Sequence, residues 1–334
     1  MKGSAVIVIT RRRLLIAFGA GALAAPLASF AQQPAKIFRI GFLGSESASS
    51  WASRVEALRA GLRDLGYVEG KNIVIEFRWA EGKNDRLPDL AAQLVRLKVD
   101  VLLTHGTPPT LAAKQSTATI PIVMTGVGDA VAVGIVASLA RPGGNITGTT
   151  YFAPELGAKR IELLKEALPR ITRVAVLSNP DNSSNALFFQ AMEVTAKAVK
   201  VGLQQFEARG PNVFDSAFAA MAKKRVGAVV VQEDPMLNVN QGAIANLAVK
   251  HRLASAGIIE LAEAGGLIGY GVVYLEMYRR AAYFIDKILK GTKPGDIPVE
   301  RPTKFEMVIN MKTAKALGIK LPNAILLRPD RVIE

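Results

Sequence analysis

Residues 95–149 read VRLKVDVLLTHGTPPTLAAKQSTATIPIVMTGVGDAVAVGIVASLARPGGNITGT, and this stretch decides the fold. Short apolar runs over 99–103 and 120–124, rich in β-branched residues and flanked by breakers, have the composition of strands buried on both faces of a parallel sheet. Each run ends in a small polar loop, Thr104-His105-Gly106-Thr107 and Thr125-Gly126-Val127-Gly128-Asp129, and each loop leads into an expected helix. Arg141-Pro142-Gly143-Gly144-Asn145 then closes the unit. In open α/β sheets ligands settle beyond the carboxyl ends of the strands, where helix N-termini present free N–H groups. The two loops are therefore the expected floor of a site. They hold no nucleophile–base pair and no metal cluster, so the pattern points to gripping rather than reacting.

The same alternation extends in both directions. Strands are expected over 36–43, 73–78 and 146–150, with helices ending near 65 and 97. Beyond 151 the expected strands are 173–177, 203–207, 228–232, 257–259, 265–271 and 305–309. The helices between them are 155–168, 185–200, 212–224, one reaching 252, and 275–289, before a short C-terminal helix. An internal echo joins the halves. Residues 37–45 (IFRIGFLGS) resemble 171–179 (ITRVAVLSN), and 97–103 (LKVDVLL) resemble 224–230 (KRVGAVV). Similar strands in the same place of each half imply two Rossmann-like lobes with parallel sheets.

A chain of 334 residues with 50% hydrophobic and 6% aromatic content suits about two α/β domains. Cysteine is absent, which removes disulfides, thiolate chemistry and Cys-ligated zinc. Residues 1–31 read as an export leader of twin-arginine type: Arg11-Arg12-Arg13, an Ala/Gly-rich apolar stretch, and Ser29-Phe30-Ala31 before the expected cleavage. The apolar run is shorter than the roughly 20 residues of a spanning helix. Val6-Ile7-Val8-Ile9 upstream of the arginines leaves open a start further in. Removing the leader leaves 38 basic against 28 acidic residues, a charge of +10. These charges are scattered on mixed-sign helices such as Lys159-Arg160-Ile161-Glu162, read as solvated faces, and no aromatic-interleaved basic stripe speaks for nucleic acid.

Of two histidines, His251 reads as a surface residue near a helix end, and His105 as a ligand contact or loop packer. Gly126-Val127-Gly128 lacks the third glycine of a dinucleotide fingerprint, and no phosphate-loop lysine follows. No cofactor and no metal is expected. The candidate ligand-binding residues are Ser45, Thr104, Gly106, Thr107, Thr125 and Asp129 in the first half. Asn179, Ser183, Glu233, Asp234, Glu260, Tyr270 and Tyr274 are the candidates further on. Hydroxyls beside helix N-termini suit a ligand carboxylate. The three acids suit an ammonium group.

Several motifs resemble one family. They are Gly66-Tyr67-Val68-Glu69-Gly70-Lys71-Asn72, Arg78-Trp79-Ala80-Glu81-Gly82, Asp85-Arg86-Leu87-Pro88, Gly106-Thr107-Pro108 and Gly128-Asp129. Residues 138–148 (SLARPGGNITG), Glu263-Ala264-Gly265-Gly266 and Pro302-Thr303-Lys304-Phe305-Glu306 complete the set. Together they resemble the ABC-transporter substrate-binding family related to tryptophan- and tyrosine-binding proteins, over essentially the whole mature chain. The resemblance implies a type I periplasmic binding protein fold with a three-strand hinge. It implies a first lobe of 36–150 plus about 264–300, and a second of 151–263 plus about 301–334. It further implies a periplasmic monomer that captures a small polar solute, an amino acid or aromatic compound among them, for an ABC permease and ATPase in the inner membrane. Ala130, Val272 and Met236-Leu237 depart from the family's usual residues in pocket loops. The ligand of the aromatic-amino-acid members is therefore not carried over.

Other classes share this architecture. A sensor presents its closed form to a chemoreceptor or sensor kinase, and neighbouring genes discriminate it from a transporter. An envelope hydrolase needs a catalytic constellation that the sequence lacks. A DNA-binding regulator needs a helix-turn-helix that does not precede residue 36.

Overall fold

Alternating apolar strands and amphipathic helices assemble into two mostly parallel sheets in a computed structural model that describes residues 36–151 and 153–334. The expected leader lies outside the described residues. The first sheet holds β1 (Phe38–Gly44), β2 (Ile73–Trp79), β3 (Val101–His105), β4 (Ile122–Val127) and β5 (Ile146–Thr150), in the order β2-β1-β3-β4-β5. The second holds β6 (Arg173–Ser178), β7 (Gly202–Glu207), β8 (Ala228–Val231), β9 (Ala254–Gly257), β10 (Ile268–Val272), β11 (Phe305–Asn310) and β12 (Arg331–Ile333). Its order is β12-β11-β10-β9-β8-β6-β7, and only the β10–β11 pairing is antiparallel. The expected two-lobed α/β architecture is the observed one. The sequence echo falls on equivalent strands: β1 and β6 each lie second from the edge of their own run, with β3 and β8 beside them.

Every residue of β3, β4, β5 and β8 is buried, as their continuous Val/Ile/Leu/Thr composition requires of strands covered on both faces. Two differences from expectation concern which segment covers them. The helix expected after β4 does not form, and residues 129–145 run as turns. Gly134 at φ +69° and the Pro142-Gly143-Gly144 run interrupt any helical register there. The turns still cover their face through Ala130, Ile135 and Val136, beside helices Leu87–Arg96 and Thr107–Ser116, while the opposite face is covered by helix Tyr274–Leu289, which packs on helix Ala52–Asp64 and on β3, β4 and β5. Tyr278, Ala281, Ala282, Phe284 and Ile285 supply its apolar stripe.

The second difference is the expected placement of 264–300 in the first lobe. Strand β10 pairs in parallel with β9 (Ile268↔Ala256, Gly269↔Gly257) and antiparallel with β11, so it belongs to the second sheet. The chain crosses back only at Val273, between β10 and the long helix. The other crossings lie between β5 and helix Ala153–Ala167, and between Glu300 and β11. Near the last crossing, Thr150 N donates to Glu300 O (3.0 Å), Glu300 N to Gly148 O (2.9 Å) and the Thr147 hydroxyl to Ile297 O (2.8 Å). A small cluster of Tyr151, Ala153, Leu156, Phe188, Ile258, Val272, Tyr274 and Met277 packs around the first two crossings. Larger cores fill the interior of each lobe.

Candidate functional site

The carboxyl ends of the two sheets face each other across a narrow gap. From the first lobe come His105, Gly106, Thr107, Gly126 and Gly128, at the ends of β3 and β4. From the second come Asn182, Ser184, Phe188, Glu233, Asp234, Pro235 and Asn238, with Tyr151 at the crossing. The parallel topology puts these loops together, because every strand of one direction ends on the same edge. Approach is close. Gly106 has φ +78°, and a Cβ there would stand 2.8 Å from Pro235 Cγ of the opposite lobe. Gly126, at φ +65°, leaves the room that the His105 ring occupies, since a Cβ there would fall 2.2 Å from its Cε1.

Beside the gap lies a buried aromatic and charged group. Trp51 packs on His105 (ring centroids 4.4 Å apart), His105 stacks on Tyr278 (5.4 Å), and Tyr274 meets Tyr151 edge-on (6.1 Å). The Arg54 guanidinium lies 4.4 Å from the Trp51 ring centre and 5.5 Å from that of Tyr274. It reaches Glu260 of the second lobe at 3.4 Å. Arg160 is fully buried, its Nη2 2.6 Å from Glu233 Oε1, while Nε and Nη2 donate to Tyr270 O at 2.9 and 2.6 Å. Buried polar atoms of this neighbourhood lack a partner: Ser45 Oγ, Trp51 Nε1, Arg54 Nε, His105 Nδ1, Arg160 Nη1, Asn238 Oδ1, Glu260 Oε2 and Tyr278 OH. Buried polar groups ordinarily find partners, so such a concentration marks capacity held for something else.

Burial, with the Arg54 charge adding to it, lowers the His105 pKa and keeps the ring neutral. Burial likewise raises the carboxyls of Asp234 and Glu260, opposed at Asp234 by the Asn182 and Asn179 amides and at Glu260 by Arg54. Glu46, just past β1, is pushed up to about 7 by burial first, then by Asp234 across the gap and by Glu81. The folded state thus holds the Glu46 proton more tightly than an unfolded chain, where it leaves near pH 4.5. Its stabilising share is complete below that value and is lost as pH rises through about 7. Between those limits this one group is expected to tilt unfolding stability downward by at most about 1.4 kcal/mol per pH unit. Glu46→Gln should remove that slope. Thermal unfolding of both proteins from pH 5 to 8 checks it, and parallel curves would refute it.

Of the residues read from the sequence, Gly106, Thr107, Glu233 and Asp234 line the gap. Tyr274 and Glu260 stand beside it around Arg54. Ser45 is buried with its hydroxyl unpaired. The others have different work. Thr104 bonds the Thr110 hydroxyl at 2.8 Å, and Thr125 accepts from Thr149 at 3.3 Å, both inside the lobe. Asp129 accepts from the amides of Val131 and Ala132, closing a turn. Asn179 donates to Asp234 at 3.2 Å and accepts from Asp181 N. Ser183 is exposed, while its neighbour Ser184 lines the gap and donates to Asn182 at 2.6 Å. Tyr270 stacks on Phe305 and packs against the cluster at the crossings.

The acids of the expected ammonium subsite are partly engaged, with Glu260 Oε2 buried and without a partner. Asp234 accepts from Asn179, Asn182 and the amides of Met236 and Leu237, as the cap of helix Pro235–Val239, and Glu233 is held by Arg160. The sequence reading passed over Trp51, Arg54, Tyr151, Arg160, Asn182, Ser184, Phe188 and Asn238. Arg160 had a legible signal. It recurs in step with Leu156, Gly157, Ile161 and Leu164 on the buried face of its helix, so it is not the solvated charge expected. Arg54 had the same signal, in step with Val55, Leu58 and Leu62, although its partner Glu260, 206 residues on, had none.

Two parallel-sheet lobes, three crossings and a polar, aromatic-walled gap between strand ends define the type I periplasmic binding protein fold. The chain belongs to the ABC transporter substrate binding protein family, whose model matches residues 46–333. It is similar to a tyrosine-binding protein of Clostridioides difficile, 28% identical over 78% of this chain and 74% of the relative. It also superposes on an ABC domain from Streptococcus pneumoniae in complex with L-Trp (TM-score 0.82, 24% identity, 89% of this chain and 100% of that one). A ligand-free, open substrate-binding protein with adhesive properties from Clostridium difficile superposes less well (TM-score 0.64, 23% identity, 89% and 99%).

Proposed function

We propose that this chain is the periplasmic solute-capturing component of an ABC importer, exported by a twin-arginine leader cut after Ala31 and acting as a monomer that delivers to a permease and ATPase. Its lobes, 36–150 with 274–300 and 153–272 with 301–334, close by hinge motion around one small solute. The observation that carries this reading is the concentration of buried polar atoms without partners where the two lobes meet. The closer superposition on the L-Trp complex than on the ligand-free open protein supports a closed arrangement of the lobes. A solute touching both lobes binds the closed state better than the open one, and only that difference can shift the equilibrium. Aromatic amino acids, which the related proteins bind by name or complex, belong in the first set of solutes to be tried.

A thermal-shift screen of amino acids, aromatic acids and other small metabolites is expected to find a solute that raises the unfolding temperature. The same solute should lower the radius of gyration in small-angle scattering, and Thr107→Val should weaken it. A screen without any stabilising solute, or one whose ligand leaves the radius unchanged and binds Thr107→Val equally, would sink the reading.

A further inference from the structure

The two buried arginines beside the gap are held very differently. Arg160 is fixed by the Tyr270 carbonyl and by Glu233 at 2.6 Å, all within the second lobe. Arg54 is 7% exposed, yet its hydrogen-bond partner is one oxygen of Glu260, across the gap at 3.4 Å. Its Nε has no partner, and neither has the second oxygen, Glu260 Oε2. A desolvated cation with one long contact is poorly compensated. The rings of Trp51 and Tyr274 hold its plane in place, but they leave its donor edge unsatisfied.

We propose that Arg54 reads the carboxylate of the solute, and that this solute is a flat aromatic acid recognised without an ammonium group. The proposal rests on the solute-binding reading above and names the chemistry of that same site. A guanidinium fork meets a carboxylate through two parallel N–H bonds; Arg54 Nε is without a partner, and Nη2 joins it once the 3.4 Å contact with Glu260 is given up. Glu260 is the counter-ion that an incoming carboxylate replaces. An ammonium group needs acceptors with open lone pairs. Glu233 is engaged with Arg160 through Oε1 and Asp234 accepts four donors, so the carboxylate oxygen of the second lobe that is buried without a partner is Glu260 Oε2, on the residue that Arg54 contacts. Of the aromatic side chains here, His105, Tyr151 and Phe188 line the gap itself and suit a flat apolar body.

Four compounds of one shape separate the charges: 3-phenylpropionate, 3-phenylpropanamide, phenethylamine and L-phenylalanine. By calorimetry the propionate is expected to bind at least as tightly as L-phenylalanine, with the amide and amine weaker by about tenfold or more, the scale of one charge-assisted fork. Arg54→Gln should reduce propionate affinity by about tenfold while leaving amide affinity unchanged. Glu260→Gln, which removes the competing carboxylate, should tighten the propionate. If the Arg54–Glu260 pair were only a latch between lobes, Glu260→Gln would weaken it instead, and the proposal would fall. L-phenylalanine binding more than about tenfold tighter than the propionate would also overturn it, leaving the transport reading intact. Failure of all four together with the wider solute screen would remove both.

Discussion

Arg160→Met is expected to lower the free energy of unfolding by about 3–5 kcal/mol, the range found when one partner of a buried ion pair is removed. The side chain is fully buried, and Glu233, 2.6 Å away, is 5% exposed. Methionine fills much of the arginine volume, so the loss is not chiefly a cavity. It is the desolvated Glu233 carboxylate left without its cation, together with the Tyr270 carbonyl left without its two donors. Glu233→Gln added to Arg160→Met should recover a large part of the loss, because a neutral amide is far cheaper to bury than a lone carboxylate. Urea unfolding midpoints for the single and double variants, with m unchanged, measure both effects. A single-variant loss below about 1 kcal/mol, typical of exposed pairs, would show that Arg160 reaches water after all.

Gly106→Ala acts on closure rather than on the fold of either lobe. At φ +78° and ψ 171° the backbone of Gly106 occupies a region that is essentially glycine's, so alanine brings strain of about 1–3 kcal/mol in the open and closed states alike. The contact with Pro235 Cγ at 2.8 Å exists only when the lobes are together. That second cost therefore bears on the closed state alone and reduces the binding-competent fraction. The expected result is a loss of at least about tenfold in affinity for the best solute of the screen, or 1.4 kcal/mol. Scattering at saturating solute should show a larger radius of gyration than the wild-type complex. Wild-type affinity with a wild-type radius would mean that the lobes never come this near in solution.

Much of the fold was legible because its signals are local. The runs at 146–150, 173–177 and 305–309 announce strands through β-branched composition between breakers, and each forms within a residue of its expected bounds. Residues 131–140 are apolar enough for a helix, yet Gly134 and the Pro142-Gly143-Gly144 run break its register after β4. Gly106, Thr107, Glu233 and Asp234 of the expected set line the gap, while other members turn into their own lobe. A threonine at a strand end has the same letter whether its hydroxyl faces a ligand or, as at Thr104 and Thr125, a neighbouring strand or helix.

Hydrophobic periodicity and turn chemistry thus determined two like-built lobes with strand ends facing one another, since both are written in neighbouring residues. Only the tertiary structure decided which polar atoms are engaged and which are left without partners. Arg54 and Glu260 stand 206 positions apart, and Arg160 and Tyr270 stand 110 apart. Whether such groups meet depends on how whole helices and sheets pack, and on which donors burial cuts off from water.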